Sequence, residues 1–476
     1  MLFTSLEFLL FLPVGVALFW WLPASWRLPW LLLASLGFYA SFAIANLAYL
    51  GAIALITLAA GRYLSTSNAP RRRLALGAGI AAVLCLMGML KYYDPLVEGI
   101  PWLPRIGLTA PAGFSFYAFT AIALMIDRYR IPDETAASAQ QDLLYLAWFP
   151  KLLAGPIERI GPFTSELVRR APMKPVHFAL GGQLFLWGLV KKVVVADNLA
   201  PFVDRTYAIP GYAVPLELVI ATYFFAFQIY CDFSGYTDMA RGASQLFGIR
   251  LSENFRRSYF AQSISEFWSR RWHISLADWF RDYLYYPFMG GSRTALRMYL
   301  GLMIVFLVSG IWHAGLGYGI GWGFLAWGAL NGGYLCVERT LSPVRRSIRV
   351  RLKGSVFVGF YSVLTTLLVF HLVLVSWVFF RAANLGDGVT VITRIWAALP
   401  DLPGLIARYP FTIEHGFLAA LIVGLLSVEL LMEKKGLRKR LSTAPRALRW
   451  AAIYAGLFAL LLFGRWQGEA FVYMQF

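Results

Sequence analysis

Residues 266–331 read EFWSRRWHISLADWFRDYLYYPFMGGSRTALRMYLGLMIVFLVSGIWHAGLGYGIGWGFLAWGALN. They hold two of the chain's five histidines, His273 and His313, in opposite settings. His273 lies among arginines and tryptophans, whereas His313 lies in an apolar run, 298–337, with no formal charge. At about 100° per residue, Trp268, Trp272, Leu276, Trp279, Tyr283 and Tyr286 fall on one helix face, with Glu266, Arg270, His273, Ala277 and Arg281 nearly opposite. Trp and Tyr favour the headgroup level of a bilayer, where the ring is half buried and its polar atom stays wet. The pattern therefore predicts one amphipathic helix lying on the membrane surface or wedged into it, and an interfacial anchor without chemistry fits it too. The second half predicts a helical hairpin broken near its middle, because glycines at 315, 317, 319, 321 and 323 disfavour one continuous helix. His313 falls where the first arm would end. An ionisable group there is either functional or hydrogen-bonded to a neighbouring carbonyl, and position alone leaves both open.

The wider composition agrees with a membrane setting. The chain has 476 residues, is 59% hydrophobic and only 14% charged, with mean hydropathy +0.61. Soluble proteins carry roughly 25% charged residues. The apolar runs are too long and unbroken for a transmembrane β-barrel, whose strands alternate. The expected fold is therefore an all-α polytopic membrane protein, 1–476 forming a single integral-membrane domain, with about eleven transmembrane helices plus re-entrant and interfacial amphipathic helices. Apolar runs at about 6–22, 28–44, 46–61, 74–92, 108–126, 177–196, 214–231, 299–313, 320–337, 355–380, 415–432 and 450–464 are the candidates. The run 6–22 reads as a first span with its N-terminus outside, since no Lys or Arg precedes Arg27 to make a cleavable signal.

Net charge is +18, which in such a protein points to basic cytoplasmic loops, anionic lipid headgroups and an anionic cytosolic substrate, and not to nucleic acid. Arg62 with Arg71–Arg73, the run 339–353 and the run 434–449 are expected on the cytoplasmic side, and the loop 382–414 outside. Cys85, Cys231 and Cys336 lie in apolar contexts without CxxC spacing and read as small core residues. Residues 148–163, WFPKLLAGPIERIGPF, mix Trp, Pro, Gly and charge, which suits irregular backbone buried at membrane depth. Asp232 and Asp238 follow an apolar run. Asp238 is spaced to pair with Arg241, and either carboxylate is alternatively placed to orient a histidine.

No GxxxxGK[ST] loop, HxxxH or HExxH metal spacing, or GxSxG elbow occurs. What remains is histidine chemistry beside a membrane. Arg256, Arg257, Arg270, Arg271, Arg281, Arg293 and Arg297 precede the hairpin, and guanidinium forks bind phosphates. A coenzyme A thioester would suit them, although plain positive-inside charge explains them as well. A neutral imidazole is suited to take the proton of an acceptor hydroxyl attacking a thioester, with His313 as base and His273 binding the donor, polarising the carbonyl or shuttling the proton.

The motifs YCDFSGYTDMA (230–240), ENFRRSYFAQSISEFWSRRWHISLADWFRDYLYYP (253–287), SGIWHAG (309–315), WGALNG (327–332), AGPIERIGPF (154–163) and SWVFFRA (376–382) resemble the membrane-bound O-acyltransferase family. The likeness is strongest to its bacterial polysaccharide branch, typified by the alginate O-acetyltransferase membrane subunit, and the opening MLFTSLEFLLFLP and closing FVYMQF share it. YYPFMGGSR (285–293) departs from the branch's smoother turn, which bears on donor or acceptor choice. The resemblance implies helices packed around a central tunnel, with His313 matching the catalytic histidine and His273 the second. With no metal-ligand spacing in the sequence, no bound cofactor or metal is expected. The donor would be acetyl-CoA or another acyl thioester, the site the inner membrane, and the acyl group would pass to periplasmic partner proteins and an exported polysaccharide. Arg270, Arg271, Trp268 and Trp272 are the expected donor contacts, and Asp232, Asp238, Trp312 and Asn331 the expected supports of the tunnel. Three rival readings stay open: D-alanyl transfer to teichoic acid, a transporter with a histidine in its pathway, and a scaffold for periplasmic partners.

Overall fold

The computed structural model describes residues 1–65, 70–97, 100, 102–131, 138–169, 172–314, 321–433, 445–466 and 471. All regular structure among them is helical. Nine of the described helices are long and apolar enough to cross a bilayer. Leu6–Trp21, Ala24–Ala40 and Phe114–Arg130 are shorter, at 16, 17 and 17 residues, which accounts for much of the gap from about eleven. One helix lies outside expectation. The 382–414 stretch is no loop: it contains Leu385–Arg408, itself apolar enough to span and broken by a 3-10 turn at Leu399–Asp401. Alternating apolar groups with Pro400 and Pro403 hid that helix. Placing the runs 339–353 and 434–449 on one side therefore requires that Leu385–Arg408 does not cross.

Pro215–Leu246 is the central post. Its membrane window is 78% buried, against 6–50% for the other candidate spans. It packs against Pro175–Leu189 along a seam of glycines spaced seven apart on each helix, 181 and 188 facing 242 and 235. A Cβ on Gly188 would stand 2.5 Å from the Gly235 carbonyl oxygen, and one on Gly242 would stand 2.7 Å from that of Gly181. Small residues thus let the two backbones touch, the usual basis of helix association where hydrophobic drive is absent. Pro175–Leu189 runs on into a π-turn, Val190–Ala196, which aims Lys191 and Lys192 at the post. Lys192 bonds Asp232 and Asp197, each at 2.7 Å, and Lys191 bonds Asp238 at 2.5 Å. Asp238 also meets Arg241 at 3.2 Å, as the spacing suggested. Both expected support carboxylates are thus engaged with lysines.

The 148–163 segment is irregular and buried, as its composition suggests: a four-residue helix Phe149–Leu152, extended backbone, then Ile160–Val168. Of the cysteines only Cys231 is a core residue. Cys85 is exposed, Cys336 is half-buried with its Sγ 3.8 Å from Tyr299 O on the neighbouring helix, and all three are free.

The 266–286 stretch corrects the sequence reading. It is not one amphipathic helix but a chain of short turns: Ile264–Glu266, a π-turn Phe267–Arg271, Ile274–Phe280, a π-turn Arg281–Tyr285 and Tyr286–Met289. Between Phe267–Arg271 and Ile274–Phe280, Trp272 is extended and His273 is left-handed, at φ 44°. Tertiary bonds impose the break. Arg256 N donates to Arg271 O at 2.9 Å and Ile274 N to Asn254 O at 2.9 Å, pulling this backbone onto the preceding loop. The rings turn into the protein, not to a headgroup layer. Trp272, Trp279 and Tyr283 are buried, while Tyr286 at the end of the series is 57% exposed.

Candidate active site

His313 is the last residue of the helix Ala295–His313, and Trp322–Thr340 returns antiparallel beside it. The hairpin is tight because Gly310 and Gly328 abut the opposite backbone: a Cβ on either would lie 2.5 Å from the carbonyl of Phe324 or Phe306. Glycines 315, 317 and 319 fall outside the described residues, while Gly321 opens the second arm at φ 72°. His313 is 3% exposed. Its ring meets Trp312 at 4.7 Å, Phe380 at 5.2 Å and Trp327 at 5.4 Å between centroids. Trp327 leads outward to Trp268 at 5.4 Å and to Trp377, which packs on Trp272 at 4.9 Å. Asn331 ties this box together. Its Oδ1 accepts from Trp268 Nε1 at 3.1 Å and its Nδ2 donates to Trp327 O at 2.9 Å.

His273 reaches the same region from the other side. Phe116 stacks on its ring at 6.0 Å and meets Trp312 at 5.4 Å, so one phenyl ring bridges the surroundings of both histidines. The helical wheel put His273 opposite Trp272; the break between them buries both. A non-glycine residue in the left-handed region costs about 1–2 kcal/mol. Asn254 holds His273 there. Its Oδ1 faces His273 Nδ1 at 3.1 Å, Ser275 N at 3.2 Å and Ser275 Oγ at 2.9 Å. The Ser275 backbone N–H can only donate, so the atom it meets is the amide oxygen. His273 Nδ1 therefore carries the hydrogen. Nε2, buried and without a hydrogen-bond partner among the described residues, holds the open lone pair. Burial pushes the His273 pKa well below the usual histidine range, which keeps the ring neutral.

The arginine cluster is largely committed to carboxylates. Arg271 bonds Glu266 at 2.7 Å and Glu433 at 3.0 Å, Arg257 also bonds Glu433, Arg256 meets Glu253 and Arg281 meets Asp278. Arg270 is exposed, with no ion pair among the described residues. Trp268 and Trp272 line the aromatic box, and Trp312 is part of its wall. Asp232 and Asp238 stand in the lysine network on the post. Asn254, which meets His273, escaped the sequence reading. Its only signal was its place in the quoted 253–287 motif.

A buried histidine ending an apolar helix, walled by aromatic rings and with His273 on the other side of Phe116, is an arrangement that acid–base chemistry beside a membrane could use. The enzyme class it fits is an acyltransferase. The profile of the MBOAT, membrane-bound O-acyltransferase family matches residues 134–377. The chain is 35% identical over 413 residues to the probable alginate O-acetylase AlgI of Azotobacter vinelandii, covering 84% of this chain and 78% of that protein. It is 33% identical over 428 residues to the peptidoglycan O-acetyltransferase of Helicobacter pylori, covering 82% and 78%. The teichoic acid D-alanyltransferase of Bacillus subtilis matches more weakly, 26% over 248 residues, covering 50% and 62%. The chain belongs to the membrane-bound O-acyltransferase family, and it is a multi-pass membrane acyltransferase. Family membership sets aside the transporter and scaffold readings.

Proposed function

We propose that this chain is an inner-membrane O-acetyltransferase that takes an acetyl group from a cytosolic thioester, acetyl-CoA, and supplies it for O-acetylation of an exported cell-surface polysaccharide of the alginate kind. The observation that carries this reading is His313 at the end of its helix, enclosed by Trp312, Trp327 and Phe380, with His273 Nε2 open nearby. The better match to O-acetyl-transferring relatives favours acetyl over D-alanyl.

In the proposed reaction the acceptor oxygen attacks the thioester carbonyl carbon. Its proton passes to the neutral His313 imidazole, the C–S bond breaks, and the same proton leaves with the thiol. His273, fixed as the Nδ1–H tautomer, accepts or relays a proton at Nε2. Arg270 meets the donor's phosphates, while Arg271 holds the segment through Glu266 and Glu433. Trp268 and Trp272 line the way to the thioester, Trp312 and Asn331 support the tunnel wall, and Asp232 and Asp238 brace the post behind it. The whole of 1–476 acts as one domain, and periplasmic partner proteins carry the acetyl group to the polymer. The test is acetyl transfer from radiolabelled acetyl-CoA by purified protein, wild type beside His313→Ala. Turnover that vanishes in the variant supports donor and base together. Transfer that needs a charged carrier protein instead would favour D-alanyl chemistry.

A further inference from the structure

An α-helix leaves its last carbonyls without intrahelical partners, and something must satisfy them when the helix ends inside the protein. For Ala295–His313 two of these partners come from another helix. Arg72–Lys91 ends at Lys91, which is 2% exposed, and Lys91 Nζ donates to Trp312 O. The next residue, Tyr92, donates its hydroxyl to Ile311 O at 2.8 Å. Two consecutive side chains thus take the two consecutive carbonyls that precede His313. The remaining cap is local: Ala314 N donates to Gly310 O at 3.1 Å and Ile311 O at 3.0 Å. Lys91 is further placed by Ser115 Oγ at 3.5 Å, and its Nζ lies 5.6 Å from the Trp312 ring centroid. No carboxylate pairs with it among the described residues.

A buried lysine spent on one backbone carbonyl is a costly way to end a helix if ending it were the whole task. We propose that Lys91 and Tyr92 are positioning residues for His313: together they pin the final turn of its helix and so fix where the imidazole stands. This rests on the reading of His313 as the acyl-transfer base. Lys91 touches no reacting atom in this scheme; it acts through the Trp312 and Ile311 carbonyls.

The experiment uses the full chain in detergent or nanodiscs, with Lys91→Met, Lys91→Arg, Tyr92→Phe and His313→Ala beside wild type. Lys91→Met keeps length and loses the donor, and Lys91→Arg keeps a donor. Tyr92→Phe deletes one hydroxyl and serves if Lys91→Met does not fold. Two quantities are read: hydrogen exchange of the 311–314 amides, which needs no substrate, and acetyl transfer from acetyl-CoA. Exchange is expected to quicken in Lys91→Met and Tyr92→Phe. Turnover in Lys91→Met is expected to fall about 10- to 100-fold, as for a reacting group displaced by an ångström, with donor KM unchanged and partial recovery in Lys91→Arg. Unchanged exchange overturns the clamp, whatever the donor. Faster exchange with wild-type turnover, or a loss carried by KM alone, overturns the positioning role. An active His313→Ala would overturn the reading of His313 itself and is told apart by that variant.

Discussion

Replacing Asn254 by Ala isolates the control of His273. The substitution removes one oxygen that serves three donors: His273 Nδ1, Ser275 N and Ser275 Oγ. The Ser275 oxygen still accepts from Ile157 N at 2.9 Å, but its hydrogen loses its acceptor along with the two N–H groups. At about 1–3 kcal/mol for each orphaned donor, roughly 3–9 kcal/mol of local stabilisation is lost before any relaxation. The left-handed turn at His273 then lacks its main restraint, and the ring is free to exchange tautomers or rotate. Residues that orient a working histidine through its second nitrogen typically contribute about 10- to 100-fold in activity, so turnover should fall by that amount. Asn254→Asp keeps an acceptor for the same donors. Its negative charge also stabilises the imidazolium and raises the His273 pKa, so this variant should work at high pH and fail on acidification. The assay is steady-state acetyl transfer across pH on purified protein, with thermal unfolding in parallel. A folded Asn254→Ala protein with turnover within about twofold of wild type would refute the argument.

Other expectations follow from the same geometry. His313→Ala should abolish O-acetylation while the protein still reaches the membrane, scored by acetyl release and membrane immunoblot. Arg270→Ala should raise the donor KM with little change in kcat, whereas Arg271→Ala should lower the unfolding temperature by freeing Glu266 and leaving Glu433 to Arg257 alone. Lys192→Met strips a partner from Asp232 and Asp197, and breaking one side of such a buried pair costs about 3–5 kcal/mol, measurable as a lowered unfolding midpoint. His273 has a lowered pKa when folded and titrates near ~6.5 when unfolded. The unfolded chain therefore binds more protons below that value, and stability should decline as pH falls through about 6.5, read by thermal melts at stepped pH.

The sequence carried His313 and its hairpin legibly, because an apolar run interrupted by glycines marks both the helix and its end. The buried irregular 148–163 segment was legible for a similar reason: Pro, Gly and charge in an apolar region leave few alternatives. The His273 turn was not. Its residues have a good helical period, and backbone bonds to Asn254 and Arg256, with the Asn254 side chain, override it. Helical spacing also separated Trp272 from His273, which the turn brings into one buried layer. Asn254 and Lys91 were invisible for a further reason. Each acts on a residue distant in the chain, 19 positions away for Asn254 and 221 for Lys91, and a lone Asn or a lysine ending a span has no distinctive local pattern.

The glycine seam between Pro175–Leu189 and Pro215–Leu246 also bears on motion. With glycines meeting at both 181/242 and 188/235, the two helices mesh like a vernier: sliding one past the other by a single residue would drive side chains into main chain at both marks. Shear along that boundary is therefore barred, and the lysine–aspartate pairs beside it lock rotation as well. This half of the molecule is a stator.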